Sequence, residues 1–541
     1  MKSSTKKILK WTGIVFGVLL LAVVALGAYV YSLLPKPAGE IPALQSELFT
    51  KPDTPLPVSG KFIYKTATEL AAMIRKGEAT STEVVQEYLH FIKNNNYKYN
   101  ALVWLFEEEA LQAAARADSL FRQGILLGPL HGVPMTVKEQ FFVKGKYSML
   151  NAKMIGGFRA PEDQKMVAQL RKAGAIIIGT TNVPLMLMDY QTQGEIYPPA
   201  SNPYDTTRTP GGSTGGGGAA LAAGFTPLEV GGDLGGSIRV PAAFCGLYGL
   251  KTTEKAIDIW DAGYPGFKFD MKYSALAVGG PLARTPEDVE LLWSVLKDTP
   301  NQFMQNVTYH YDTTKMLNQY RIAWMDRLKF GKEELPVSSS ILTKLHALVD
   351  SLKAHGAASE RSMPDTFEEQ FKTFFSLMLC MNTQGQPWLM WQLIVQDMKK
   401  TDDGSIDLRD VYDLGISLDE KKYGELLERR KNLIDQWESF FEKHDFFICP
   451  VMLSPAFKKC PMDTPQTIDG RAVAYWNTGA FCMMFNGTGH PSLVIPLGLD
   501  KDGLPVGVQV VGKYFSEPAL IHFAKLLRRE GVTPGFVQPE G

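Results

Sequence analysis

Two serines set among glycines are the residues of this sequence best placed to do chemistry. Ser213 and Ser237 lie within the stretch 209–252, each directly after a pair of glycines. Glycine serves where a backbone takes a positive φ or approaches another group closely, and successive N–H groups in such a turn can face a developing negative charge. A flexible loop is the plainer interpretation, but the small and apolar residues between the glycines argue against a solvated linker.

A serine nucleophile needs a base, and two familiar arrangements fit this stretch poorly. Residues 211–215 match the nucleophile elbow G-x-S-x-G, but RTPGG before the serine is a poor strand, and the base would have to be His490 or His522. A phosphate-binding P-loop is not favoured either, because no Gly-Lys-Ser/Thr ends the glycine run.

A third arrangement is a serine activated by a lysine that burial keeps neutral. Lys138 ends VPMTV, which reads as a short buried strand. Its amine could act on one serine through the other, and Gly235 and Gly236 could free backbone amides for an oxyanion hole before Ser237. A lysine at a strand end is more often an exposed cap, so residue chemistry alone leaves this arrangement open.

Four sequence blocks, in matching order and spacing, resemble the amidase signature family. They are PLHGVPMTVKEQF, NPYDTTRTPGGSTGG, GGDLGGSIRVPAAFCGLYGLKT and NGTGHPSLVIPLGLDKDGLPVGVQVVG. The likeness runs over about residues 64–525, and within the family the chain looks most like the fatty acid amide hydrolases. Helical and strand patterns also alternate along the chain, which predicts an α/β sheet. The resemblance implies one large α/β domain with a central mixed, twisted β-sheet covered by helices on both faces.

The resemblance also assigns roles to individual residues. Ser237 would be the acyl nucleophile, Ser213 the bridging serine with a cis peptide bond to Gly212, and Lys138 the base. The oxyanion hole would consist of four backbone amides, those of Leu234, Gly235, Gly236 and Ser237. Residues that support these turns would be Thr214, Asp233 and Arg239. Residues that bind substrate would be Leu187 and Met188.

One position departs from the family pattern in a way that bears on the bridging serine. Family members commonly carry threonine before the aspartate, where its hydroxyl can bond the serine, and this chain has Gly232. A water or Thr214 would then have to supply that hydrogen bond.

The function that follows is a serine amidase working through an acyl-enzyme, with no metal and no organic cofactor. Its substrate would be a carboxylic amide, a small molecule or a long-chain fatty amide. The apolar segment 367–398 would line the acyl pocket as a lid, or else form two core helices. The alternatives are the glutaminase (A) subunit of a tRNA-dependent amidotransferase, an amidase acting on small or peptide amides, and an inactive binding protein on the same fold.

The amino terminus predicts a membrane anchor. Residues 1–10 are basic, and 11–34 are an uncharged apolar run long enough to span a bilayer. We therefore expect a single-pass protein with its N-terminus in the cytoplasm and its catalytic domain outside it, periplasmic in a bacterium. A proline-rich linker, 35–60, would lead to an amidase domain, 61–530, with a largely helical apolar insertion at about 300–440.

The composition of the chain limits the classes of partner that we expect it to bind. The net charge of −1 gives no electrostatic reason to expect nucleic acid. The five cysteines show no metal-binding or disulfide spacing and are expected to be buried apolar residues. Beyond an amide substrate and the membrane, the partner left open is a second copy of the chain in a homodimer.

Overall fold

A computed structural model describes most of the chain. The described residues are 27, 29, 36–259, 261–264, 276–305, 307–309, 311–331, 333–383, 388–402, 404 and 406–540.

Eleven of the described strands form one mixed sheet. All described strands, in chain order, are β1 (Leu102–Leu105), β2 (Pro134–Lys138), β3 (Ile176–Thr181), β4 (Leu228–Asp233), β5 (Tyr248–Lys251), β6 (Val278–Ala283), β7 (Arg321–Trp324), β8 (Leu328–Phe330), β9 (Glu333–Leu335), β10 (Ala358–Arg361), β11 (Phe446–Pro450), β12 (Gln466–Ile468), β13 (Arg471–Val473), β14 (Ser492–Leu499) and β15 (Pro505–Val511). Their order in the sheet is β1-β3-β2-β4-β6-β5-β14-β15-β11-β7-β10, while β8–β9 and β12–β13 pair separately. Strand β2 pairs in parallel with β3 and β4, and in sheet order each neighbouring pair from β4 to β15 is antiparallel.

Both faces of the sheet are covered at its centre. Every residue of β2, β3, β4 and β6 is buried, and successive residues of a strand point to opposite faces. The described helices are α1 (Ser46–Phe49), α2 (Ala67–Arg75), α3 (Ser81–Tyr99), α4 (Glu107–Arg122), α5 (Lys165–Lys172), α6 (Gly215–Ala222), α7 (Arg239–Phe244), α8 (Pro286–Leu296), α9 (Ser339–Ala354), α10 (Phe367–Thr383), α11 (Trp388–Thr401), α12 (Arg409–Ile416), α13 (Glu420–Lys443), α14 (Ala480–Gly487) and α15 (Glu517–Arg529). The predicted large α/β fold with a central mixed sheet is confirmed.

The structure describes parts of two segments, 300–440 and 35–60, whose domain assignment stays a prediction. Residues 300–440 hold five helices, but they also supply β7 and β10, which form one edge of the sheet. The proline-rich segment 35–60 packs on the domain where it is described. Leu48 is fully buried there, and the carboxamide of Gln45 exchanges hydrogen bonds with the backbone of Leu105 on edge strand β1. A strand edge needs such partners, which composition does not reveal.

The predicted transmembrane helix and single-pass location are corrected here. Within the described part of the chain, no helix has both the length and the apolar character needed to cross a bilayer. The longest described helix, α13, has 24 residues but carries charged side chains along its whole length. The segment 11–34, from which both predictions came, lies outside the described residues except for Gly27 and Tyr29.

The glycine-rich stretch contains a helix that the sequence did not predict. Helix α6 begins with four consecutive glycines, and every one of its residues is buried. A Cβ added at Gly216 would lie 2.2 Å from the backbone nitrogen of Asn182, and one at Gly217 would lie 2.6 Å from the Glu229 side chain. These glycines therefore serve close helix–sheet packing, which outweighs their poor helix propensity.

Alanine substitutions in two helices should separate these effects. Gly216→Ala should lower the free energy of unfolding by about 3 kcal/mol or more, because the new methyl group meets rigid backbone. Gly424→Ala is the matched control, since its Cβ would meet nothing within 4 Å, and it should raise stability by about 1 kcal/mol. Denaturant unfolding of both variants measures this. Equal effects would contradict the packing explanation.

Candidate active site

Lys138 lies at the carboxyl end of β2, with β3 on one side and β4 on the other. Its side chain is buried, at 1% exposure. The ammonium or amine Nζ donates to Ser213 Oγ over 2.7 Å and to the carbonyl oxygen of Gly232 over 3.2 Å. The structure thus places Lys138 beside the bridging serine and not at the surface.

Burial changes the acid–base behaviour of this lysine. Desolvation lowers the pKa of Lys138 to about 7, against an opposing effect of Asp233 and Glu229. Neither carboxyl is a free counterion. Asp233 is paired with Arg239, and burial raises the pKa of Glu229, which accepts hydrogen bonds from Thr136 and Thr181, to about 8. A large fraction of Lys138 is therefore neutral near pH 7 and can accept a proton.

The turn that carries Ser213 is held tightly in place. The Gly212–Ser213 peptide bond is cis. A Cβ added at Gly212 would lie 2.3 Å from the carbonyl oxygen of Asp189, so only glycine fits there. The amide of Thr214 donates to the carbonyl oxygen of Ser237 over 3.1 Å. This hydrogen bond joins the two serine turns and brings all three predicted catalytic residues into one site.

The turn that carries Ser237 is organised around the carboxylate of Asp233. That carboxylate accepts hydrogen bonds from the amides of Gly236 (2.9 Å) and Ile238 (3.0 Å). Gly236 has a φ of 119°, which favours glycine, and Ser237 is half-buried. The nucleophile candidate thus sits on a turn whose backbone is fixed from one side and reachable from the other.

A fully buried ion pair stabilises this turn from below. Arg239 donates to Asp233 through Nε (3.0 Å) and Nη2 (2.9 Å). Burial alone would raise the pKa of Asp233, but the Arg239 guanidinium holds that pKa well below its usual range. Two residues that the sequence analysis did not single out, Asn486 and Gln509, accept further hydrogen bonds from Arg239. The sequence signal that could have identified Gln509 is a glutamine inside the otherwise apolar strand VGVQVV.

The four predicted oxyanion-hole amides are not equivalent in the structure. The Gly236 amide already donates to Asp233. The carbonyl of that same peptide, which belongs to Gly235, accepts from the hydroxyl of Tyr190 over 3.3 Å. The amides of Leu234, Gly235 and Ser237 are the other three predicted donors. Tyr190 was missed because a lone tyrosine in a loop carries no sequence signal.

The predicted substrate-binding residues lie in two different environments. Leu187 packs against a small apolar cluster with Phe142 and Phe158, and Met188 is 51% exposed on the same loop. From the 367–398 segment, Phe374 of α10 is the residue that reaches the site, with its ring 3.4 Å from the position of a Cβ on Gly235. Helix α10 is largely buried, as in a core helix, whereas α11 exposes Trp388 and Leu393.

Aromatic side chains lie beside the turn of residues 234–237, which holds the predicted oxyanion-hole amides. The ring of Tyr190 lies 5.4 Å from that of half-buried Trp476 and 6.0 Å from that of Tyr475. Phe374 contacts the same turn at Gly235. Tyr190, Tyr475 and Phe374 are buried, so among these four rings the partly exposed one is that of Trp476.

The histidines of the alternative elbow arrangement are engaged elsewhere. His490 Nδ1 hydrogen-bonds the hydroxyl of Thr488 and its Nε2 the carboxylate of Glu438, while His522 Nε2 hydrogen-bonds the carbonyl of Lys315. Of these candidate bases, the one that hydrogen-bonds Ser213 is Lys138.

Comparison with known proteins identifies the family of the chain. The family model named Amidase matches residues 83–521. The A subunit of glutamyl-tRNA(Gln) amidotransferase from Alkaliphilus metalliredigens is 30% identical over 484 residues, covering 84% of this chain and 95% of that protein. Indoleacetamide hydrolase of Bradyrhizobium diazoefficiens is 30% identical over 470 residues, covering 86% of each.

Similarity in three dimensions concerns the fold. A solved fatty acid amide hydrolase superposes with a TM-score of 0.69 at 23% identity, covering 87% of this chain and 85% of that one. The relatives found by sequence carry other names, so the predicted subfamily is not confirmed. With the family model matched across most of its length, the chain belongs to the amidase family, the amidase signature enzymes, and is an amidase.

Proposed function

We propose that the enzyme hydrolyses amides through Lys138, Ser213 and Ser237. Neutral Lys138 removes the proton of Ser213 as Ser213 removes that of Ser237, whose oxygen attacks the amide carbonyl carbon. The developing oxyanion is stabilised by amides of the 234–237 turn other than that of Gly236, which donates to Asp233. The observation that carries the proposal is the 2.7 Å hydrogen bond between Lys138 and Ser213 in a buried site.

The same proton completes the reaction. Lys138 returns it through Ser213 to the amide nitrogen, the C–N bond breaks, and the amine leaves. Water then adds to the ester on Ser237, giving its proton to the relay, and the acid departs as Ser237 is reprotonated. The balance is one amide and one water converted to one carboxylic acid and one amine, with the relay restored.

For the substrate, we propose a carboxamide with a flat, apolar acyl group. The support is the half-buried ring of Trp476, which packs against buried Tyr190 beside the Gly235 turn. The charged side chains described nearby are committed to the protein, since Asp189 accepts from Tyr475 and Asp233 from Arg239. A relative named for indoleacetamide hydrolysis fits this substrate class.

Glutamine is the second candidate. The chain aligns with 95% of one subunit of a glutamyl-tRNA(Gln) amidotransferase. A catalytic domain outside the cytoplasm would speak against this function, because tRNA is cytosolic, and the predicted single-pass location was corrected above. As such a subunit, the protein would release ammonia from glutamine together with partner subunits. That two copies of the chain form a homodimer stays a prediction.

The pH dependence should report the base. Because protonated Lys138 cannot accept a proton, kcat/KM should fall about tenfold for each pH unit below 7 and level off above it. Lys138→Ala should lower kcat/KM at pH 7 by about 100-fold or more. A small primary amine added to the alanine variant should restore part of the activity. An unchanged profile in Lys138→Ala would rule this base out.

Labelling and a substrate panel test the nucleophile and the acyl group. A fluorophosphonate should label Ser237, as seen by peptide mapping, and Ser237→Ala should lose activity by about 1,000-fold or more. Label on Ser213 would overturn the assignment of the two serines.

The panel compares an arylacetamide, a short aliphatic amide, a long-chain fatty amide and L-glutamine. The arylacetamide should give the highest kcat/KM, since a ring can stack on that of Trp476, and Trp476→Ala should reduce this preference by about tenfold. Gln112→Ala, on the exposed face of α4, is the control and should change nothing. Preference for glutamine would favour the amidotransferase function.

A further inference from the structure

The carbonyl of Gly232 is the second acceptor for the base. It accepts from Lys138 Nζ over 3.2 Å and from Thr214 Oγ1 over 3.4 Å. With Ser213 Oγ as the other partner of Lys138, this carbonyl fixes the direction in which the amine points. Any rotation of the Gly232 peptide would therefore move the proton acceptor away from the serine.

Gly232 has no side chain of its own to hold that peptide. It lies in β4 opposite Gly279 of β6, so two glycines face each other across the ladder. Glycine allows more backbone rotation than any other residue. Besides the β4–β6 ladder and the Thr214 hydroxyl, a further group can help to keep the carbonyl aimed at Lys138.

The carboxamide of Gln140 fills the space where a side chain at position 232 would be. A Cβ added at Gly232 would lie 2.9 Å from both Nε2 and Oε1 of Gln140. The backbone of Gln140 is anchored in turn, because its carbonyl accepts from the hydroxyl of Tyr264 over 3.2 Å, and that hydroxyl also bonds Ser148 Oγ over 2.5 Å. The half-buried Gln140 amide therefore rests on the Gly232 backbone.

We propose that Gln140 is a positioning residue for the reaction: its carboxamide packs on Gly232 and keeps the Gly232 carbonyl directed at Lys138 Nζ. It replaces the side chain that position 232 lacks and acts through Lys138, without contacting substrate. The inference rests on the proposed function, in which Lys138 is the base.

A double-mutant cycle tests the contact. Gln140→Ala removes the carboxamide, and Gly232→Ala displaces it with little cost to folding, because the new methyl group meets the end of a flexible side chain. Each should lower kcat by about tenfold, the effect of one misplaced hydrogen bond, with KM nearly unchanged. The double variant should be no worse than either single one, since both remove the same contact. A loss of about 100-fold in the double variant, or no loss in Gln140→Ala, would overturn the proposal.

A charge at this position gives a readout that packing alone would not move. Gln140→Glu places a carboxylate of similar size beside the acceptor of Lys138. Since a nearby anion favours the ammonium form, the acidic limb of kcat/KM should shift up by about one pH unit. Gln112→Glu, on the exposed face of α4, is the control and should leave the profile in place. An unshifted profile for Gln140→Glu would count against the placement.

Lys138→Ala separates the two proposals. If it retains full activity, the proposed base is wrong. If it is inactive while the Gln140 variants match the wild type in kcat and in pH profile, the base stands and the positioning role fails.

Discussion

Desolvation of the Lys138 amino group is the constraint on which the site depends. In water the lysine amine would be almost fully protonated at neutral pH and so could not accept a proton. Burial at the end of β2 is the largest influence on the pKa of Lys138. Burial has this effect only if no free counterion is enclosed with the amine. The fold meets that condition in two ways: Arg239 neutralises Asp233, and burial raises the pKa of Glu229 to about 8 even though the hydroxyls of Thr136 and Thr181 donate to its carboxylate.

The second requirement is that two turns from different parts of the chain meet at this amine. Close packing achieves it, because α6 approaches the sheet through glycines and so places Ser213 at the end of β2. Asp233, the last residue of β4, then fixes the Ser237 turn through backbone amides. Strand β4 thus takes part in both halves of the site, because Gly232 contacts Lys138, the proposed base, and Asp233 holds the turn of Ser237, the proposed nucleophile.

Much of this could be predicted from the sequence, and the parts that could not share a cause. The strand pattern of VPMTV predicted β2. The family resemblance named Lys138 and both serines. Helix α6 was missed because glycine propensity describes the isolated chain, whereas here the deciding factor is the distance to Asn182 and Glu229. Asn486, Gln509 and Tyr190 were missed for the same reason, since each acts across more than 40 residues of sequence.

The membrane prediction was wrong, and it rested on one local property, the apolar composition of residues 11–34.

The substrate prediction also rested on local composition. Apolar composition in 367–398 predicted a pocket for a long chain, but most of the apolar surface of α10 is spent on core packing, and Phe374 is the ring brought to the Gly235 turn. Phe374 and Tyr190 are both buried beside that turn, and the partly exposed ring next to them is Trp476. A proposal about the acyl group therefore has to rest on the side chains exposed beside the turn and not on the overall apolar content of a segment.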